Sequence, residues 1–144
     1  MGSKISNRLD EILAALPLKE GLRILEIGCG TGVVAREIAR RLDDVYILGL
    51  DRSAKAIAQC MLGSGQEMAM GKVQFQQAAI ESFEFAGKEL FDFAFAIRVG
   101  ALDGRHPDLE QKACSNIAKA LKKNGQLFID GGNPLKVIDL KKYR

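Results

Sequence analysis

The sequence predicts an α/β fold, a doubly wound and mostly parallel sheet with helices on both faces. Three observations predict it. Arg23–Ile27 is a short strand built on Ile24, Leu25 and Ile27, and the runs Val45–Leu50 and Phe93–Ile97 are apolar at nearly every position, as strands covered on both sides must be. Segments with apolar residues at helical spacing separate these runs. The first run passes directly into Gly28-Cys29-Gly30-Thr31-Gly32 and then into an amphipathic stretch, so strand, tight turn and helix follow one another within a few residues.

The elements follow in order. Ile5, Leu9, Ile12, Leu13 and Leu16 make one apolar stripe, and Pro17 ends that helix. Its expected role is packing on the sheet. After the first strand and the glycine turn, a helix from Gly32 to Leu42 buries Val34, Ile38 and Leu42 and turns Arg36, Glu37, Arg40 and Arg41 to water. Val45 to Leu50 is the second strand, with Asp51 at its end. Ser53 is placed to cap a third helix, with Ala54, Ile57, Ala58 and Met61 on one side. Gly63-Ser64-Gly65 loosens the chain before a third strand, Val73 to Gln77. The fourth strand is Phe91–Ile97. Pro107 opens a helix with the stripe Leu109, Ala113, Ile117, Ala120 and Leu121, and Asn124-Gly125 stops it. Gln126 to Asp130 is the fifth strand. Residues 131–144 are too few for a further helix and hairpin. The outer edge of the fifth strand is therefore expected to be covered by the tail or by a second copy in a homodimer, or else the chain is a short form.

Composition bounds the function. The 144 residues suit a single domain, 1–144, with an N-terminal helix in 1–20, an α/β core in 21–130 and a short tail. A net charge of +3 neither demands nor excludes a nucleic-acid partner. Cys29, Cys60 and Cys114 lie far apart without metal-ligand spacing, and no signal peptide precedes them, so reduced thiols in a cytoplasmic protein are expected, with no metal. No apolar run approaches the ~18 residues that span a membrane.

The glycine turn carries the chemistry. A helix N-terminus aims free N–H groups and positive dipole at such a turn, which suits the polar part of a nucleotide-like ligand. Asp51, at the end of the second strand, has two carboxylate oxygens that suit the vicinal hydroxyls of a ribose. Two cofactor patterns compete. The dinucleotide fingerprint fails from Gly28, where Val33 takes the third small position, and passes from Gly30 as Gly30-x-Gly32-x-x-Ala35. The pattern acid-x-G-x-G-x-G is met at every defined position from Glu26 to Gly32.

At Glu26–Gly32, and again at the Phe91-Asp92 start of the fourth strand, the sequence resembles the class I, Rossmann-like S-adenosylmethionine-dependent methyltransferases. The resemblance covers roughly Arg23 to Asp130. It implies the strand order 3-2-1-4-5, S-adenosylmethionine as cofactor and S-adenosylhomocysteine as product. It also implies a cofactor-binding set of Glu26, Gly28, Cys29, Gly30, Thr31, Gly32, Asp51, Arg52, Ala79, Ile80 and Arg98, with Glu26 facing the methionine part. The family often places an acid beyond the third strand to hold adenine. Ala78 stands there, which leaves the backbone near Ala79 and Ile80, or Glu81 one turn on.

The loop beyond the fourth strand, Arg98 to Pro107, is where an acceptor should meet the methyl group. His106, the single histidine, and Asp103 are the candidate catalytic residues, beside Arg105. Signatures of amino-nucleobase and cytosine-carbon enzymes are missing, which lowers nucleic-acid methylation without abolishing it; a small-molecule acceptor is expected, with an RNA or protein acceptor as an alternative. A cofactor-binding domain without its own activity and a nicotinamide-binding fragment are the other readings.

Overall fold

The computed structural model describes residues 6–144. Ile5 of the first stripe lies outside them. Ser6 caps α1 (Asn7–Ala15) by accepting the Leu9 N–H at 3.2 Å. Then follow β1 (Leu22–Ile27), α2 (Val33–Arg41), β2 (Val45–Asp51), α3 (Ala54–Gly63), α4 (Gly65–Ala69) and β3 (Val73–Gln77). After a 3₁₀ turn at Ile80–Ser82 come β4 (Phe91–Ala96), α5 (Pro107–Ala120), β5 (Leu121–Asp130) and β6 (Leu135–Ile138).

The six strands form one sheet in the order β3-β2-β1-β4-β5-β6, parallel except for β6. Alternation along each strand divides the core. Ile24 and Ile47 face α1 and α2 beside Ile12, Leu13 and Ile38. Leu25, Leu48 and Leu127 face α5 beside Ala113 and Ile117. These side chains are almost fully buried, each Leu and Ile among them contributing about 1.5–3 kcal/mol of transfer free energy. The first helix packs on the sheet, as expected, and Arg8 also reaches Asp130 at the end of β5, 3.2 Å away.

Three expectations are corrected, and one of the alternatives for the fifth strand is met. Asn124-Gly125 does not stop a helix. The helix ends at Ala120, Leu121 already begins β5, and the register against β4 shifts from Phe91↔Leu121 to Phe93↔Gln126. Gly125 sits in that bulge, where a Cβ would lie 2.9 Å from Leu121 Cβ and 3.1 Å from the Asp92 carbonyl. The edge of β5 is covered by the tail, the first of the expected alternatives, because β6 pairs with it antiparallel from Leu127↔Ile138 to Asp130↔Leu135. Leu140 is buried and Arg144 donates to the Gly125 carbonyl at 3.1 Å, so the tail is fastened down and the free edge passes to β6. Gly63-Ser64-Gly65 is not a loosened stretch but the corner between α3 and α4, with Ser64 fully buried. On α3 the buried positions are Ile57 and Cys60, while Met61 is about half exposed.

Candidate cofactor and acceptor site

The site grows from the carboxyl ends of β1 and β2. Gly28, Gly30 and Gly32 all have left-handed backbone, with φ of 74°, 56° and 87°. The end of β2 pins the turn. Gly28 and Cys29 N–H groups both donate to the Leu50 carbonyl, at 2.7 and 2.8 Å, and the Gly30 N–H donates to Asp51 Oδ2 at 2.9 Å. A Cβ on Gly28 would lie 2.7 Å from Val99 Cγ2, so the β4 loop closes tightly on the turn.

Asp51 is half-buried, and its Oδ1 accepts the Ser53 N–H at 2.9 Å. Each oxygen is thus oriented by one backbone donor and keeps a further lone pair for a ligand hydroxyl. Glu26 stands behind the turn, only 4% exposed, and its Oε1 has no hydrogen-bond partner among the described residues. Burial, with the charge of Asp51 as the smaller cause, raises the Glu26 carboxyl to about 8. A buried acid left unsatisfied in this way is a site for a cation or a donor.

An open cleft of about 350 Å³ lies at these strand ends. It brings together Gly28, Asp51, Arg52, Ala79, Ile80, Arg98 and His106 of the expected residues. Glu26, Cys29, Gly30, Thr31, Gly32 and Asp103 are not on its wall. Two larger hollows, about 480 Å³ beside Tyr46 and Phe85 and about 410 Å³ beside Asn124 and Leu140, hold none of the expected residues.

Around the rim, Arg52 Nη2 bonds Glu81 Oε1 at 2.9 Å, so the carboxylate nearest the missing adenine acid is already paired. The Ile80 carbonyl accepts Asn116 Nδ2 at 2.9 Å. Arg98 is the one non-glycine residue among those described with positive φ, 58°. Asp130 Oδ1 accepts its N–H at 3.1 Å, and its carbonyl accepts Arg105 Nη2 at 2.9 Å. Asp103 holds Arg105 through Nε at 2.8 Å, and that hydrogen bond keeps the Asp103 carboxyl below the usual range. The exposed His106 ring lies against Gly100, where a Cβ would come within 2.6 Å of its Cδ2.

Sequence reading missed Cys60, Arg36 and Asp130. Cys60 Sγ donates to the Gly30 carbonyl at 2.9 Å and lies 3.8 Å from Cys29 Sγ. Its spacing from Ile57 and Ser64 is a helical stripe and is the signal that finds it. Burial, first among several causes, pushes the Cys29 thiol far up, away from the thiolate a nucleophile needs.

A glycine turn ending β1, with an acid behind it, and a second acid ending β2, in a sheet ordered 3-2-1-4-5-6, are the arrangement of a Rossmann-like fold. The chain belongs to the methyltransferase domain family, whose model matches residues 24–125. It is 34% identical over 119 residues to O-methyltransferase resE of Aspergillus sclerotiorum, covering 83% of this chain and 43% of that one. It is also 34% identical over 129 residues to O-methyltransferase rstn1 of Aspergillus nomiae, covering 86% and 55%. Among solved structures it resembles phosphoethanolamine N-methyltransferase 2 of Haemonchus contortus in complex with S-adenosyl-L-methionine. That match has a TM-score of 0.69 and 27% identity, over 85% of this chain and 27% of that one. The chain thus spans about half the length of the curated relatives it matches.

Proposed function

We propose that this chain binds S-adenosylmethionine and takes part in methyl transfer to the hydroxyl of a small molecule, leaving S-adenosylhomocysteine. The observation that carries this reading is the buried Glu26 carboxyl behind the glycine turn, whose Oε1 has no hydrogen-bond partner among the described residues, with Asp51 ending the neighbouring strand. A cofactor with an ammonium, a sulfonium and a ribose diol answers both acids. Among the residues expected from sequence, we assign Glu26 to the methionine part and Asp51 to the ribose. Gly28, Cys29, Gly30, Thr31 and Gly32 supply backbone approach; Arg52, Ala79, Ile80 and Arg98 line the rest. Bound there, S-adenosylmethionine supplies an electrophilic methyl group on a good leaving group.

The chain's own contribution is orientation and one proton. Asp103, through Arg105, fixes the Arg98 carbonyl and with it the β4 loop that carries His106. The His106 imidazole takes the hydroxyl proton as the oxygen attacks. The O-methyltransferases among the relatives support a hydroxyl acceptor. The free cysteines support a reducing, cytoplasmic setting, and the free edge of β6 supports pairing with a second copy. Among the described residues no helix is long and apolar enough to cross a membrane.

A second reading is a cofactor-binding part of a larger enzyme, supported by the 43% and 55% of the relatives' length that the chain spans. Incubation with S-adenosylmethionine and a panel of phenols, followed by S-adenosylhomocysteine release, separates the two. His106→Ala is expected to lower turnover by ~10²-fold. Its S-adenosylhomocysteine affinity should stay within about twofold, since that binding is made elsewhere. Unchanged turnover removes His106 from the reaction, and binding without any turnover favours the second reading.

A further inference from the structure

We infer that Arg36 is a positioning residue for the cofactor turn, acting through a latch that joins the turn to the α3–α4 corner. This rests on the cofactor reading above. By helical spacing Arg36 belongs to the solvated face of α2, and its neighbours Arg40 and Arg41 do pair with Glu37 there. Arg36 instead reaches back over its own helix N-terminus. Its Nη1 donates to the Thr31 carbonyl at 2.8 Å and to Ser64 Oγ at 2.9 Å. No carboxylate lies within ion-pair distance of it among the described residues.

The surroundings are shaped for that guanidinium. Ser64 is fully buried, one of two buried polar side chains among the described residues, and the guanidinium takes its hydroxyl. A Cβ on Gly32 would lie 2.8 Å from Arg36 Nη1, and one on Gly63 would lie 3.2 Å from it. The next donor along the turn is Cys60 Sγ on the Gly30 carbonyl. Two consecutive carbonyls, Gly30 and Thr31, are thus held, one by the Cys60 thiol of α3 and one by the Arg36 cation of α2, which Ser64 ties to the α3–α4 corner. Fixing a carbonyl fixes the peptide plane that carries the following N–H, so the latch sets the direction of the Gly32 N–H and the entry of α2. A preorganised turn spares the ligand the cost of ordering it.

The test uses the full chain. Arg36→Met keeps the aliphatic stem and removes the donor, and it should weaken S-adenosylhomocysteine binding about tenfold or more, as loss of a hydrogen bond to a charged group does. Ser64→Ala should weaken it in the same direction, by less. The double variant should match Arg36→Met, because both act through one contact. In the free protein, amide deuterium exchange at residues 31–34 should quicken in Arg36→Met while exchange in β4 and β5 does not change. Affinity within twofold of the parent with unchanged exchange overturns the inference, as does a double variant that adds the two losses. Ser64→Ala provides the same readouts should Arg36→Met not fold. Failure of the parent chain to bind S-adenosylhomocysteine contradicts the cofactor reading instead, and exchange at 31–34 still decides on the latch.

Discussion

Asp51→Ala should cost S-adenosylhomocysteine binding about 1.5–3 kcal/mol, roughly ten- to 150-fold, measured by calorimetry. Asp51 does two things at once. Its Oδ2 holds the Gly30 N–H and its Oδ1 holds the Ser53 N–H, so it orients the turn and starts α3. Its remaining lone pairs face the cleft, where a ribose diol needs acceptors. Alanine removes the ligand contact and frees both backbone donors, so the loss should lie at the upper end of that range. Asp51→Asn keeps one carbonyl oxygen and should fall between parent and alanine. The fold should survive, since Asp51 sits at the end of a strand and not in the core. Equal affinity in a folded Asp51→Ala protein contradicts the ribose assignment.

The second large effect is on pH. In the free protein Glu26 is held up at about 8, so between its ordinary value near 4.5 and about 8 the folded carboxyl is protonated while the unfolded one is charged. The folded state then binds more protons, and this group lowers stability progressively as pH rises through that window. A ligand ammonium placed against it reverses the preference, because it favours the carboxylate. Affinity for S-adenosylhomocysteine should rise with pH up to about 8, with a proton released on binding below that pH. Glu26→Gln should lose most of the affinity and flatten this dependence, while melting at a higher temperature than the parent at alkaline pH. A parent affinity that falls as pH rises from 6 to 8 contradicts a carboxylate facing the methionine ammonium.

Much of this site was legible because it is local in sequence. Glu26 to Gly32 reads as strand, turn and helix from adjacent residues alone, and Asp51 follows an apolar strand that pairs with β1. The parallel order then brings the two together without any long-range guess. The misreadings share a different cause. Helical periodicity tells which face Arg36 leaves from, but not how far a long side chain reaches back. Asn124-Gly125 carries ordinary helix-stop chemistry, and only the register against β4 turns it into a bulge. The pairing of β6 rests on contacts between the tail and β5, and neither segment announces the other. Asp130 is a plain strand-end residue until Arg98, thirty-odd positions away in sequence, presents its N–H to it.

The central claim is that the turn and its two acids make a site for a methyl-donor cofactor and not for a dinucleotide. Parallel calorimetric titrations of the purified chain with S-adenosylhomocysteine and with NAD at pH 8 test it most directly. One S-adenosylhomocysteine per chain should bind with nanomolar-to-micromolar affinity, with no measurable heat from NAD. Saturable NAD binding with none for S-adenosylhomocysteine contradicts it and returns the turn to the Gly30-x-Gly32-x-x-Ala35 reading.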